Sequence, residues 1–245
     1  MSQATVGYST FKSSPVRAFK TVFASPNWVT NVLWMTIGAI VPFVGIMGLL
    51  GWGTYQLRYR SGRPENQVPD IDSSQLGDYV TKGIWPFCAY FIVQMVGSMI
   101  LMVPMMIFMF GSMAAFGENG IPLVVLGFFP LILLVTLALA MMTTPVVLRA
   151  MVSQDLGESL NFAWVRQFAG IMFWEMLVSG IVFYFLSLGV LLLGAAMCGI
   201  GYIPAIGIIT GASINLLAQW YEIFLDRGGE PAPEPKDQVI DATIV

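Results

Sequence analysis

Histidine is absent from the 245-residue chain, which removes at once the commonest general base and the commonest transition-metal ligand. Cysteine is nearly as scarce: Cys88 and Cys198 are the only two, each inside an apolar stretch. A disulfide framework is therefore not expected, and both thiols read as small hydrophobes. Charge is scarce too. Asp, Glu, Lys and Arg make up 10% of the residues, against roughly a quarter in soluble domains. No stretch reaches the Lys and Arg density of a phosphate-binding stripe, so nucleic acid is not an expected partner. The spacings of a P-loop, a nucleophile elbow and a zincin are missing as well. These absences leave no catalytic residue, metal ligand or cofactor to expect, and the chain reads as non-enzymatic.

What is present is apolar: 57% of the residues are hydrophobic and the mean hydropathy is +0.77. At about 20 residues per span, such a chain has room for roughly four to six membrane crossings. The eleven basic residues all fall outside the long apolar runs. They are Lys12, Arg17 and Lys20, then Arg58, Arg60, Arg63 and Lys82, then Arg149 and Arg166, then Arg227 and Lys236. Cytoplasmic loops collect Lys and Arg, and one topology places every one of these residues on that side. It predicts a multi-pass protein of the cell (inner, cytoplasmic) membrane with both termini in the cytoplasm.

Along the chain, 1–12 reads as a disordered N-terminus without the apolar core of a cleavable signal. Ser13-Ser14-Pro15 reads as a helix start, and 13–27 as an amphipathic interfacial helix on Val16, Phe19, Val22 and Phe23. That helix could lie on the membrane surface or pack on the protein itself. The membrane domain, 28–225, holds apolar blocks at 28–57, 83–111, 121–148, 168–193 and 202–222. As one straight helix the first would be about 45 Å long, beyond the roughly 30 Å hydrocarbon core. It is either a single kinked, tilted span or a hairpin turning near Pro42; basic residues at both its ends favour the hairpin. The fold expected is all-α and polytopic: an N-terminal helical hairpin or long broken helix, then four transmembrane helices in two hairpins. The turns at 112–120 and 198–201 carry no Lys or Arg. Asp72-Ser73-Ser74 can cap the helix bearing Leu76, Tyr79 and Val80. The acidic, Pro-containing segment 226–245 reads as a disordered tail.

Two echoes, Ile37-Gly38 with Pro42–Ile46 against Ile200-Gly201 with Pro204–Ile208, and Gln75–Asp78 against Gln154–Glu158, are short and differently spaced. Longer signals lie in Ser25-Pro26-Asn27-Trp28 and Ile40-Val41-Pro42-Phe43-Val44-Gly45. They continue in Gly51-Trp52-Gly53-Thr54-Tyr55-Gln56-Leu57-Arg58, Val68-Pro69-Asp70, Leu76-Gly77-Asp78-Tyr79 and Lys82-Gly83. Leu160-Asn161-Phe162 and Ala218-Gln219-Trp220-Tyr221 complete the set. In this order the chain resembles the prokaryotic membrane proteins grouped as domain of unknown function 4013, over roughly 20–225. The resemblance implies a multi-helix integral membrane domain and no established activity, so it transfers no functional residue.

Five polar side chains form the candidate intramembrane site: Glu175, Gln94, Asn215, Gln219 and Glu222. Glu175 is the only ionisable residue well inside a block, a position that marks function or a satisfied structural acid; Arg166 and Lys82 are its expected partners. Asn215 and Gln219 share a helix face, and Glu222 extends it toward the cytoplasm. Arg58, Arg60 and Arg63 could contact anionic lipid headgroups, or pair with Asp70, Asp72 and Asp78. The methionines at Met95, Met99, Met102, Met105, Met106 and Met109 read as flexible packing. The expected function is membrane organisation or scaffolding of partners. The alternative is a small oligomeric transporter or channel using Glu175 and the Asn215/Gln219 face. The expected partners are the lipid bilayer, anionic lipids, and a second copy or another membrane protein.

Overall fold

A computed structural model describes residues 13–60, 69–117, 120–197, 199–233 and 235, with the backbone alone described at 59, 60, 101, 116 and 120–135. Eight α-helices follow in order: α1 (Pro15–Val22), α2 (Trp28–Ile40), α3 (Val44–Arg60), α4 (Leu76–Phe116), α5 (Gly120–Ser153), α6 (Leu156–Ser159), α7 (Phe162–Ala196) and α8 (Tyr202–Asp226). Among the described residues the only other regular element is a 3-10 turn at Ser73–Gln75. Local chemistry opens several of these helices. The Ser14 hydroxyl accepts from Arg17 N at 3.3 Å, with Pro15 as the first helical residue. Asn161 Oδ1 accepts from Ala163 N at 3.1 Å and Trp164 N at 3.3 Å. Asp72 accepts from Ser74 N at 2.9 Å and starts the 3-10 turn that leads into α4. Each cap satisfies an amide that the first helical turn leaves without a partner.

Four of the helices, α4, α5, α7 and α8, are long and apolar enough to cross a membrane, and the protein is multi-pass. Large apolar side chains along α4 and α7 point outward, among them Ile100, Ile107, Trp174, Tyr184 and Leu193. On a soluble protein such a surface would aggregate; in a bilayer it is the face that meets lipid. Six helices close a ring: α3 packs on α4, α4 on α5, α5 on α7, α7 on α8, α8 on α2, and α2 on α3. One core cluster joins Leu148, Trp164, Phe168, Met172, Trp220 and Phe224, and a second joins Met35, Leu49, Trp52 and Tyr79. Cys88 is a half-buried free thiol on α4; Cys198 lies outside the described residues.

The block 28–57 is two helices. Val41, Pro42 and Phe43 separate them, and Phe43 takes a left-handed φ of 59°. A methyl group added at Gly45 would collide with the Gly38 carbonyl, so the two backbones touch beside the turn. α1 packs on α7 and α8, with the Phe19 and Phe183 rings stacked at 5.3 Å and Ala18 fully buried. α1 thus rests on the protein with the Val16 and Phe23 side chains still exposed.

The segment expected to be disordered from 226 starts out docked. Glu230 O accepts the Trp164 indole N–H at 2.7 Å, Ala232 N donates to the Tyr221 hydroxyl at 3.2 Å, and Ala232 is buried. The polar composition of the tail conceals an apolar seat on the aromatic cluster, because that cluster is assembled from distant helices. Residues 1–12 and 236–245 lie outside the described residues.

Candidate functional site

Glu175 of α7 is held from both ends of the chain. Its Oε1 accepts Ser13 N at 2.7 Å and Ser13 Oγ at 2.8 Å, and its Oε2 pairs with Arg227 Nη2 at 2.5 Å. The two charged side chains are 13% and 29% exposed. One face of α8 continues the grip. Gln219 Oε1 accepts Ser14 N at 2.9 Å, and Asn215 Nδ2 donates to Ala18 O at 3.4 Å. The Trp220 indole donates to Ser179 Oγ at 2.9 Å, and that hydroxyl donates to the Glu175 carbonyl. Asn215 Oδ1 and Gln219 Nε2 are buried without a hydrogen-bond partner among the described residues. A cavity of about 410 Å³ opens beside this cluster, lined by Ser13, Trp174, Glu175, Val178, Ser179 and Arg227. From Glu175 to the end of α7 at Ala196 the helix rises about 32 Å, close to one hydrocarbon thickness of roughly 30 Å. The acid therefore stands near the level of one interface, within reach of the segments that precede α1 and follow α8.

The five residues expected at one polar site separate. Glu175, Asn215 and Gln219 gather around α1. Glu222, further along α8, is half-buried and engaged in an interaction. Gln94 belongs elsewhere, lining a groove of about 440 Å³ with Ser98, Met102, Met105, Thr136, Leu139 and Ala140. The expected partners of Glu175 also differ from those found. Lys82 pairs with Asp78 at 3.0 Å, and Arg227 and Ser13 hold the acid. Arg227 and Ser13 stand far from Glu175 in the sequence, where helical spacing says nothing.

Arg58 is engaged in an interaction; Arg63 and the side chain of Arg60 lie outside the described residues. Among the described residues the loop acids Asp70 and Asp78 accept from other side chains, and the Arg58 charge also acts on Asp78. Asp70 accepts from Ser25 Oγ, from Asn27 Nδ2 at 2.8 Å and from Asn31 Nδ2 at 2.7 Å. Asn31 Oδ1 in turn accepts Ile71 N at 3.0 Å, and the Trp52 indole donates to Pro69 O at 3.2 Å. Asp78 accepts the Tyr55 hydroxyl, and Lys82 Nζ donates to that same oxygen at 2.8 Å while lying 4.1 Å from the Tyr55 ring centroid. The segments that carry the sequence resemblance thus meet in space: Ser25 and Asn27 with Asp70, and Tyr55 with Asp78 and Lys82. They form a knot that fixes the loop before α4 to α2 and α3. These residues stood out in the sequence as an ordered set of motifs, but nothing there told which pairs with which.

Burial pushes the Asp70 carboxyl up, and the hydrogen bonds from Ser25, Asn31 and Asn27 outweigh it, holding it below its ordinary value. A depressed native value stabilises the fold above the carboxylate range and loses that contribution as pH falls through it. Asp70→Asn is expected to lower stability at neutral pH by on the order of 1 kcal/mol. In strong acid, thermal unfolding in detergent micelles should give converging midpoints for variant and parent. Equal midpoints at neutral pH would show that the knot contributes nothing.

The family described as Protein of unknown function (DUF4013) matches residues 34–199. That stretch contains Tyr55, Asp70, Asp78, Lys82 and Glu175, and leaves Ser25, Asn27, Asn31 and α8 outside. No curated protein and no solved structure matches the chain.

Proposed function

This chain belongs to the DUF4013 family, whose description assigns no activity, and we propose that it organises the membrane or scaffolds partners within it and performs no catalysis. One observation carries the reading. Glu175 and the two buried amides nearest it are engaged by segments near the chain's own ends, through Ser13, Ser14, Ala18 and Arg227, while Gln94 lines a separate groove. A solute path would need these groups to face one shared polar cavity. In this reading both termini are cytoplasmic in the cell membrane, α2 and α3 form a re-entrant hairpin, and α4 with α5 and α7 with α8 form two spanning hairpins. Arg58, Arg60 and Arg63 contact anionic headgroups, each worth about 1 kcal/mol near the surface.

The test is flux. Purified protein in liposomes should pass protons and small ions no faster than protein-free liposomes, and Glu175→Gln should change nothing. Flux above that background, abolished by Glu175→Gln, would replace scaffolding with the transporter reading. The orientation has its own check. Single cysteines placed at Ser61 and Asn119 should be labelled from opposite sides of the membrane by an impermeant maleimide. Labelling from one side would overturn the topology.

A further inference from the structure

We propose that the α4–α5 face carrying Gln94 is a homodimer interface, closed by the Gln94 amide pairing with Gln94 of a second copy. This rests on the membrane character of α4, and not on the scaffolding reading. Among the described residues α4 contacts α3, α5, α6 and the 3-10 turn, and neither α7 nor α8. Its apolar side chains from Met95 onward, including Met99, Met102 and Met105, are exposed. Gly97 packs directly on Leu139, and the close contact there sets the floor of a groove between the two helices. Gln94, Ser98, Met102 and Met105 line one wall at helical spacing, and Thr136, Leu139 and Ala140 line the other.

The Ser98 hydroxyl is already used, donating to the Gln94 backbone carbonyl. The Gln94 side-chain amide is half-buried in this groove and makes no hydrogen bond among the described residues. It stands about 17 Å from the start of the block 83–111 and about 26 Å from its end, measured along the helix. Acyl tails offer an amide nothing at that depth, and headgroups lie beyond its reach. An unpaired amide in hydrocarbon is costly, and such residues hydrogen-bond across helices. A carboxamide is donor and acceptor at once. Two copies related by a two-fold axis therefore satisfy each other with one residue type, as a self-complementary interface requires. The exposed methionines beside it adapt to such a contact.

The experiment uses the full chain in liposomes, in a Cys88→Ala, Cys198→Ala background. With copper phenanthroline as oxidant, Ser98→Cys should cross-link to a dimer, whereas Val96→Cys, exposed on the opposite face of α4, should not. Energy transfer between labelled copies, followed as the protein is diluted into lipid, should show Gln94→Leu raising the dissociation constant about 5- to 30-fold. Gln94→Asn, which keeps an amide, should recover part of the affinity. Leucine is apolar and of similar size, and the groove is open, so the variant keeps the α4–α5 packing. Equal cross-linking at both positions, an unchanged constant for Gln94→Leu, or pairing only with a different protein would overturn the proposal.

Discussion

Gly83→Val is expected to leave little folded protein, because it drives a side chain into the closest helix contact described. A methyl group on Gly83 would overlap the Met47 carbonyl of α3, and one on Gly51 would overlap the Tyr79 carbonyl of α4. The two glycines thus admit each other's helix reciprocally, one turn apart. In a bilayer this matters more than in water, since lipid tails are as apolar as the side chains. Close backbone packing, rather than hydrophobic exclusion, holds spanning helices together. Overpacking a fitted interface costs about 1–3 kcal/mol and occasionally more. Here the obstruction is backbone on both sides and cannot swing away, so the upper end or beyond is expected. Gly77→Ala on the same helix is the control. Nothing lies within 4 Å of a methyl group there, and alanine should gain up to about 1 kcal/mol of helix propensity. The monodisperse fraction and midpoint after heating in detergent check both. If Gly83→Val and Gly77→Ala behaved alike, the α3–α4 contact would not be what sets the fold.

The contrast between those glycines shows where the sequence stops being legible. Gly77 and Gly83 look equivalent in the chain; only the arrival of α3 separates them. The apolar blocks could be read because hydropathy accumulates along one segment. The starts at Ser14 and Asp72 could be read because a cap bonds within three residues of itself. The break at Pro42 was visible for a similar local reason, as the block was too long for one thickness of hydrocarbon. Pairings were another matter. Asp70 sits in a loop with three arginines and several acids, so proximity along the chain suggested ion pairs. Its partners among the described residues are neutral side chains about 40 positions earlier, brought over by the return of α3 along α2. The docked tail escaped notice for the same reason, since Glu230 and Ala232 are ordinary until Trp164 and Tyr221 arrive beside them. Gln94 was grouped with Glu175 because both are polar and deep, and depth alone cannot tell which side of a helix bundle a residue faces.

Glu175→Gln should loosen both ends of the chain together, and this coupling is what separates a clamp from an isolated ion pair. The carboxylate joins Ser13, 162 positions before it, to Arg227, 52 positions after it. Glutamine can still accept from Ser13, but it offers Arg227 no charge. The guanidinium then keeps only a carbonyl contact to Ile171 at 3.4 Å and a thioether contact to Met172. Removing one member of a buried pair costs about 3–5 kcal/mol; Arg227 is partly exposed, so about 2 kcal/mol is the expected loss. α1 carries Lys20, which gives a direct readout in trypsin cleavage after that residue. Where cleavage follows the population of the open form, a loss of about 2 kcal/mol raises its rate roughly 30-fold. Arg227→Gln should produce a similar rise, even though it lies at the other end of the chain. The double variant should then add little to either single, because each has already broken the shared contact. Additive effects, or cleavage after Lys20 that ignores Arg227, would mean that Glu175 holds the two ends independently. The N-terminal helix would then be seated by Gln219, Asn215 and the Phe19–Phe183 stack alone.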